Sequence, residues 1–519
     1  MDIASIRSAV FISADATDSQ AGNGAPASSD ISVRTWWTII TYIAAAAMFL
    51  RFYDLPLKPL HHDEGVNTLF LTRLVQPPHQ YEYDPGNYHG PTLYYLGWLN
   101  VAVFGLTTVA IRMVTAAAGL IAVLLLPLLR PRIGAAGALA AAALLALSPG
   151  AVYYSRYFIH EMLLVCFIVA MVIAFALWSE SGRSIYVYLA AVAAGLAVAT
   201  KETVIISAVV LMGAAVGVEA LFELRGPRQS AGARAFLPAL RRPPGIRLLL
   251  SATVTFLGVA VVFYTSLFTH WGGAIDALRS FAIWTKTGTS TQTHPWYTYL
   301  EWLAVEELPV LVLGGAGAIW ALWKPANRFA AFAALWALGT LAAYSVIPYK
   351  TPWLALNIVA PLAITGGYAF DALWRIRRRL PNLAIPLLAV SAIAAASYQT
   401  VVLNFVQYDN NRYPYVYVHT SREVFALVRE IGRLERLNPG LSIAVTSRDH
   451  FPLSWYLRGY RAGYYGKPVA TNDPLVVAST HQQTMLDGLL GARYARTGSY
   501  TLRPGVQLVL YVRRDLRGT

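Results

Sequence analysis

Long apolar stretches separated by short polar loops fill most of the chain, from Trp36 to Tyr398. A helix rises about 1.5 Å per residue, so roughly 20 apolar residues cross a hydrocarbon core of roughly 30 Å. The stretches are rich in Ala, Leu, Val and Gly and show little two-residue alternation, which favours helices over a membrane barrel. We therefore predict an all-α polytopic membrane protein with about 11–12 transmembrane helices. The twelve stretches cover residues 35–53, 91–108, 112–129, 133–150, 158–178, 184–200, 203–222, 247–268, 308–323, 329–347, 353–371 and 382–398.

The pattern changes after Tyr398, where the apolar runs become too short to span a membrane. The clearest runs are SIAVTS (442–447), PLVVAS (474–479) and VQLVLYV (506–512). Their length and alternation predict strands. We therefore expect residues 399–519 to form a small α/β domain outside the membrane, separate from the membrane domain at 35–398.

Composition supports a membrane protein. Hydrophobic residues form 56% of the chain and charged residues 13%, about half the charged share of a soluble protein. A net charge of +14 is also typical of nucleic-acid binding, but the basic residues lie in loops between the spans, where membrane insertion places them. The sequence therefore excludes nucleic acid as a partner and indicates membrane lipid instead.

Basic residues are unevenly shared between alternate loops, and this predicts sidedness. One set of loops holds fifteen Arg and Lys residues and the alternate set holds seven. The positive-inside rule places the richer set, around 130–132, 183, 225–247, 324–328 and 375–379, in the cytoplasm. Residues 1–34 are then a flexible cytoplasmic leader, since they lack the apolar run of a signal peptide. The loops 54–90, 151–157 and 271–306 and the C-terminal domain lie outside, which requires that 91–108 and 112–129 make one net crossing.

The first outer loop contains HHDEGVN, in which His61, His62, Asp63 and Glu64 are consecutive. Neighbouring helical positions point roughly 100° apart, so the two carboxylates are expected to do different jobs. The structural alternative is an N-terminal helix cap, which we favour for Glu64 taken alone. For the whole cluster we favour a functional role, because ionisable groups beside a membrane are costly.

Other polar residues occur at the ends of spans on the same predicted face. His89 lies in YHGPTLYYL, Arg156 and Glu161 lie in SRYFIHEM, and Lys201 follows a threonine in ATKE. A tight interhelical turn is an equally good explanation for Lys201 and Glu202, and snorkelling to lipid explains Lys350. Together, cations and carboxylates on one face suit a reaction with an anionic leaving group.

HHDEGVN, YHGPTLYYL, SRYFIHEM and ATKE follow, in order, the pattern of the GT-C membrane glycosyltransferases. The chain most resembles their dolichyl-phosphate-mannose–protein mannosyltransferase-like branch, which includes aminoarabinose transferases. The resemblance covers roughly residues 35–400. The tail, with RDHFPLSWYLRGY, is similar to an archaeal and bacterial subgroup of this branch.

The resemblance implies roles for individual residues. Asp63 falls on the proposed base, with Glu64 beside it. The residues implied at the donor phosphate are His89, Arg156 and Lys201, to which we add Lys350 from its chemistry and sidedness. His62, Tyr157 and Glu161 are expected to support them, although Glu161 stands where the family motif has aspartate.

The implied reaction is an inverting transfer of a hexose, mannose-like in kind, from a polyprenyl-monophosphate donor to an acceptor hydroxyl on the outer face. The acceptor is a protein, a lipid or a glycan. A nucleotide-binding motif is unnecessary for this chemistry, and no cofactor is required. A divalent metal stays an open alternative, with His61, His62 and His89 as candidate ligands. Two other functions also stay open: a lipid-linked sugar flippase or transporter, and a non-catalytic glycan-assembly factor.

Overall fold

The computed structural model describes residues 31–77, 79, 81–224, 245–287 and 292–518. The greater part of the predicted leader (1–30) and of the basic loop at 225–247 (225–244) lies outside the described residues. The first helix begins at Val33, directly after Ser32, whose side chain accepts a hydrogen bond from the backbone amide of Thr35 and caps the helix.

Every predicted apolar stretch contains a helix, which confirms the all-α membrane domain. In the described part of the chain, eight helices are long and apolar enough to cross a membrane, or up to ten if each of two bent helix pairs is one span, and the helices α3 (Thr92–Phe104) and α8 (Ser184–Val198) are shorter and apolar. At 13 residues, α3 is about 20 Å long and shorter than a bilayer core. The single net crossing of 91–129 stays a prediction. The helices of the described membrane domain are α1 (Val33–Phe52), α2 (His62–Val75), α3 (Thr92–Phe104), α4 (Thr108–Leu125), α5 (Ala135–Ala146), α6 (Pro149–Ser155), α7 (Glu161–Ser181), α8 (Ser184–Val198), α9 (Val204–Leu224), α10 (Ile246–Tyr264), α11 (Gly273–Thr287), α12 (Thr298–Glu306), α13 (Leu308–Trp323), α14 (Arg328–Val346), α15 (Leu356–Arg375) and α16 (Ala384–Val401), besides short helical turns.

The two bent helix pairs meet at one buried carboxylate. The bend between α5 and α6 is 56°, and the bend between α12 and α13 is 119°. Pro149 lacks a backbone N–H and begins α6, so the helix cannot continue through it unbroken. Glu307 stands at the second bend, where its Oε1 accepts hydrogen bonds from the Ser148 hydroxyl (2.7 Å) and the Gly150 amide (2.8 Å). The Gly150 amide, which the first bend leaves without a partner in its helix, is therefore paired with the side chain of Glu307 at the second bend.

Small residues let the central helices α5, α13 and α15 pack closely. A Cβ atom on Gly317 would lie 1.9 Å from the Thr365 carbonyl oxygen, and one on Gly367 would lie 2.3 Å from the Gly137 carbonyl oxygen. Only glycine fits such contacts, which is the usual way for helices to associate in lipid.

The C-terminal segment forms the predicted α/β domain. Its strands are β1 (Ser442–Val445), β2 (Arg461–Tyr464), β3 (Leu475–Ser479), β4 (Tyr494–Arg503) and β5 (Val506–Arg513), in the order β2-β1-β3-β5-β4. β1 is parallel to β2 and β3, whereas β5 is antiparallel to β3 and β4. Helices α17 (Val424–Leu437) and α18 (Gln483–Leu490) contribute buried apolar residues to two separate clusters against the strands. The predicted boundary at 398 lies just before the end of α16, which reaches Val401.

A segment of this domain, residues 449–458, docks on the membrane domain beside α2. The Tyr456 hydroxyl accepts a hydrogen bond from the Leu60 amide (2.8 Å), and Trp455 Nε1 donates to the Thr108 hydroxyl (3.1 Å). The approach requires a glycine on α2, because a Cβ on Gly65 would lie 2.9 Å from the Pro452 Cα. We call residues 449–458 the docking segment.

Candidate active site

A cavity of about 770 Å³ lies between the start of α2, the loop before α3, the start of α7, the α8–α9 loop and the C-terminal domain. Polar side chains from all of these elements face it. Of the residues that the sequence predicts for the site, the ones that line the cavity are His61, His62, Asp63, His89, Glu161 and Lys201.

Asp63 presents its carboxylate to this cavity because other groups cap its helix. The His61 ring accepts a hydrogen bond from the Asp63 amide (3.2 Å), and Glu64 Oε2 accepts one from the His61 amide (2.9 Å). This capping box satisfies the first turn of α2 without the Asp63 side chain. That side chain is 41% exposed and lies 3.8 Å from His61 Nδ1. A carboxylate held on a fixed helix and open to the cavity is suited to accept a proton.

Glu64, in contrast, lies outside the cavity. It is fully buried, and both its oxygens accept hydrogen bonds from Arg112, from Nε at 2.7 Å and from NH2 at 2.6 Å. Its Oε1 also accepts from the Phe158 amide (2.8 Å). These contacts match the capping alternative, and they leave the catalytic role predicted for Glu64 without geometric support.

The loop before α3 is held against the α8–α9 loop, and this brings His89 to Glu202. The amides of Gly90 and Thr92 donate to the carbonyls of Thr200 (3.0 Å) and Ala199 (3.1 Å). A Cβ on Gly90 would lie 2.0 Å from the Ala199 oxygen, so the approach depends on glycine. His89 Nδ1 then lies 2.9 Å from Glu202 Oε2.

Lys201 and Glu161 form an ion pair on the same wall of the cavity. Burial opposes the charge on Lys201, but the carboxylates of Glu161 and Glu202 outweigh burial and raise the pKa of its ammonium above the ordinary value. Burial likewise opposes ionisation of Glu202, while His89 and Lys201 hold its pKa below the ordinary value. The wall therefore carries a lysine cation and an ionised Glu202 at neutral pH.

Two tyrosines, Tyr88 and Tyr349, also line this part of the cavity. Burial, with a smaller opposing effect of Lys201, raises the pKa of Tyr349 to about 12. Burial also raises the pKa of Tyr88. Both hydroxyls stay protonated at neutral pH, so each can donate a hydrogen bond to an anion. We call Tyr88, His89, Lys201, Glu202 and Tyr349 the cation wall.

Besides Glu64, three residues predicted for the site do not line the cavity. Arg156 donates to the Leu50 (3.2 Å), Tyr53 (2.5 Å) and Asp54 (2.8 Å) carbonyls at the end of α1. Lys350 donates to the carbonyls of Ser345 (3.1 Å) and Ile347 (2.6 Å) at the end of α14. Both cations satisfy carbonyl groups that helix ends leave unpaired. Their contact with the donor phosphate stays a prediction that this geometry does not support.

Tyr157 is the third of these residues. Its hydroxyl is buried, 3.0 Å from the Tyr153 hydroxyl and 2.6 Å from His419 Nδ1. Tyr157 therefore belongs to the packing behind the site, and a supporting role would act through its neighbours.

The C-terminal domain contributes two charged residues that the sequence did not predict for the site, Asp449 and Arg503. Arg503 NH2 donates to Asp449 Oδ1 (2.5 Å), and its NH1 lies 3.4 Å from His62 Nδ1. Burial, opposed by Asp63 and reinforced by Arg503, lowers the pKa of His62 to about 4. His62 is therefore uncharged at neutral pH. The motif RDHFPLSWYLRGY contains Asp449, but its position beside α2 depends on the folded domain.

Among the residues that the structure describes, no three or more His, Cys, Asp or Glu side chains are grouped to hold a metal ion. Two of the candidate ligands have other contacts: His61 Nδ1 accepts from the Asp63 amide, and His89 Nδ1 contacts Glu202.

Comparison with known proteins gives a similar family over part of the chain and a similar fold over most of it. A family model described as dolichyl-phosphate-mannose-protein mannosyltransferase matches residues 88–238. No curated protein matches the sequence. The solved structure of ArnT from Cupriavidus metallidurans bound to undecaprenyl phosphate is similar, with 16% identity, a TM-score of 0.67, and coverage of 93% of this chain and 99% of ArnT. The archaeal oligosaccharyltransferase AglB from Archaeoglobus fulgidus, solved with an inhibitory peptide and a dolichol-phosphate, has 14% identity, a TM-score of 0.54, and coverage of 86% of this chain and 70% of AglB.

Proposed function

We propose that this chain, an integral membrane protein with the GT-C glycosyltransferase fold, transfers a hexose from a polyprenyl-monophosphate carrier to an acceptor hydroxyl. The family model that matches residues 88–238 and the fold shared with ArnT and AglB support the resemblance indicated by the sequence motifs. The observation that carries the proposal is that an open carboxylate, Asp63, and the cation wall line one and the same cavity. ArnT and AglB were solved with undecaprenyl phosphate and dolichol-phosphate, which supports a carrier of this chemical class.

In the proposed reaction, Asp63 accepts the proton of the acceptor hydroxyl while the hydroxyl oxygen attacks the anomeric carbon. A new glycosidic C–O bond forms, and the bond between that carbon and the phosphate oxygen breaks. The electron pair of the broken bond leaves with the phosphate. Because attack comes from the side opposite the leaving group, the anomeric configuration inverts.

The cation wall would hold the carrier phosphate. Lys201 supplies a charged donor, and the hydroxyls of Tyr88 and Tyr349 supply neutral ones. Charge-assisted hydrogen bonds of this kind stabilise a departing phosphate most when water is excluded. We propose that these donors suffice and that the reaction needs no metal cofactor.

Sidedness follows from the loop charges. The excess of basic residues in one set of loops favours a cytoplasmic N-terminus and an outer C-terminal domain. The cavity, which borders that domain, would then open on the outer face. The carrier would enter it from the outer leaflet, with a mannose-like hexose as its sugar.

The test uses the full chain in lipid nanodiscs with polyprenyl-phosphate-linked mannose, glucose and aminoarabinose, and with sugar, peptide and lipid acceptors. Sugar leaving the carrier and appearing on an acceptor with inverted configuration, read by NMR, is the expected result. If proteoliposomes instead move an intact carrier across the bilayer without releasing sugar, the chain is a transporter. A failure to do either would support a non-catalytic assembly role.

A further inference from the structure

Asp63 lies between two different polar groups in the cavity. Besides burial, the charges that shift the pKa of Tyr349 include both Lys201 and Asp63. Besides burial, the charges that shift the pKa of His62 include Asp63, Arg503 and Asp449. All of these residues line the same cavity, and His62, the neighbour of Asp63 in the sequence, lies 3.4 Å from Arg503 NH1. The proposed base therefore shares the cavity with both the cation wall and the C-terminal domain. If the carrier phosphate occupies the cation wall, the side with His62, Asp449 and Arg503 is left for the acceptor.

The C-terminal side is a rigid arrangement. The Arg503 side chain is 8% exposed and is fixed by Asp449 and by the Phe451 carbonyl, to which NH1 donates (3.2 Å). The Phe451 ring packs edge-on against His62, with ring centres 5.5 Å apart. Asp449 is 53% exposed, and the described part of the chain offers no hydrogen-bond partner to its second oxygen, Oδ2. This oxygen is therefore available to a ligand in the cavity.

The charges next to His62, Asp449 and Arg503 determine which chemical class of acceptor can bind there. Two carboxylates, Asp63 and Asp449, face one guanidinium, and the uncharged His62 adds nothing to balance them. Both sides of the cavity carry two carboxylates for one cation, but the cation wall adds the hydroxyls of Tyr88 and Tyr349 as donors, whereas His62, Asp449 and Arg503 add no hydroxyl. An acceptor with a phosphate or carboxylate next to the attacking hydroxyl would therefore be repelled on this side. Ionised carboxylates accept hydrogen bonds and donate none, so they favour a ligand with hydroxyl groups.

We propose that Asp449, with Arg503 as its positioning residue, forms an acceptor subsite for a neutral sugar. This inference rests on the proposed function. One sugar hydroxyl would donate to Asp63 and become the nucleophile, while a second hydroxyl of the same sugar donates to Asp449 Oδ2. A serine or threonine side chain has one hydroxyl, which Asp63 alone would occupy, so two carboxylates facing one cavity favour a polyhydroxyl acceptor.

The experiment measures ligand binding to the full chain in nanodiscs, comparing the wild type with Asp449→Asn and Asp487→Asn. Asp487 is the matched control, because it is a carboxylate of the same domain that lies 3.7 Å from an arginine, Arg496, but does not line the cavity. The probes are methyl glycosides of mannose, glucose and galactose, the corresponding sugar 6-phosphates, and a serine-containing peptide. Saturation-transfer NMR reports their binding, and tryptophan fluorescence reports undecaprenyl phosphate binding in the same samples.

The expected result is that at least one neutral glycoside binds, that its 6-phosphate binds more weakly, and that Asp449→Asn weakens the glycoside about tenfold. Asp487→Asn should match the wild type. The subsite is refuted if no glycoside binds, if the phosphates bind as tightly as the neutral sugars, or if Asp449→Asn has no effect. Peptide binding that depends on Asp449, without sugar binding, would instead assign a protein acceptor. A wild type that binds sugars but not undecaprenyl phosphate refutes the proposed function and not the subsite.

Discussion

Glu64 and Arg112 form a fully buried ion pair with two hydrogen bonds, 2.6 and 2.7 Å long, one residue away from the open carboxylate of Asp63. The same arginine donates to the carbonyls of Leu55 (2.6 Å), Lys58 (2.9 Å) and Pro59 (3.1 Å) in the loop before α2. Arg112 therefore fixes both the loop and the first turn of the helix. The ion pair thereby fixes the helix turn that presents Asp63, the proposed base, to the cavity.

The first prediction separates the two neighbouring carboxylates by stability. Glu64→Gln leaves Arg112 buried without its counter-charge, so it should lower the free energy of unfolding by about 3–5 kcal/mol. Asp63→Asn should leave the unfolding midpoint close to that of the wild type, since the Asp63 side chain is not part of the helix cap. Chemical unfolding in detergent followed by circular dichroism checks both. A Glu64→Gln variant that is as stable as the wild type but inactive would instead support the catalytic role predicted for Glu64.

The second prediction compares two lysines that the sequence assigns to the phosphate. Lys201 lines the cavity, whereas Lys350 is occupied by helix-end carbonyls. Lys201→Gln should weaken undecaprenyl phosphate binding about ten- to a hundredfold, the value of a hydrogen bond to a charged group. Lys350→Gln should bind it as the wild type does. Titration of the carrier by tryptophan fluorescence in nanodiscs distinguishes the two, and equal effects of both variants would contradict this placement of the phosphate.

The membrane helices could be predicted from the sequence because lipid imposes a simple requirement: every backbone group must be paired within an apolar stretch of sufficient length. The short strands of the C-terminal domain could be predicted for a similar reason, because apolar runs such as VQLVLYV (506–512) are too short to span a membrane. The two bends were not predicted. They depend on contacts between residues that are distant in the sequence, such as the hydrogen bond from Ser148 to Glu307.

The site could be predicted in part. The motif residues Asp63, His89 and Lys201 all line the cavity. Arg156 and Lys350 do not, because a cation next to a helix end serves either a ligand or the unpaired carbonyls of that helix, and the sequence looks the same in both cases.

The residues that complete the cavity were missed for a different reason. Asp449 comes from the docking segment, and Arg503 ends β4. Both are hundreds of residues from α2 in the sequence. The way the C-terminal domain packs on the membrane domain brings them to His62, and no local pattern encodes that packing.

The third prediction concerns pH and His62. Burial, with the charge of Arg503, lowers its pKa from 6.5 to about 4 in the folded protein, despite the opposing charge of Asp63. Between these values the unfolded chain binds a proton at His62 that the folded chain does not, so stability falls as the pH falls through this range. The wild type should lose roughly 1–2 kcal/mol more than His62→Gln between neutral pH and about pH 5. Unfolding midpoints of the two proteins at both pH values measure this, and an equal loss would show that His62 titrates normally.

The central claim is that Asp63 takes the proton of the acceptor hydroxyl. The most direct measurement is the rate of sugar transfer by Asp63→Asn in nanodiscs, with undecaprenyl phosphate binding measured on the same sample. The account predicts that transfer falls by about a hundred- to ten-thousandfold while carrier binding stays within the range of the wild type. An Asp63→Asn variant that transfers sugar at the wild-type rate would contradict it.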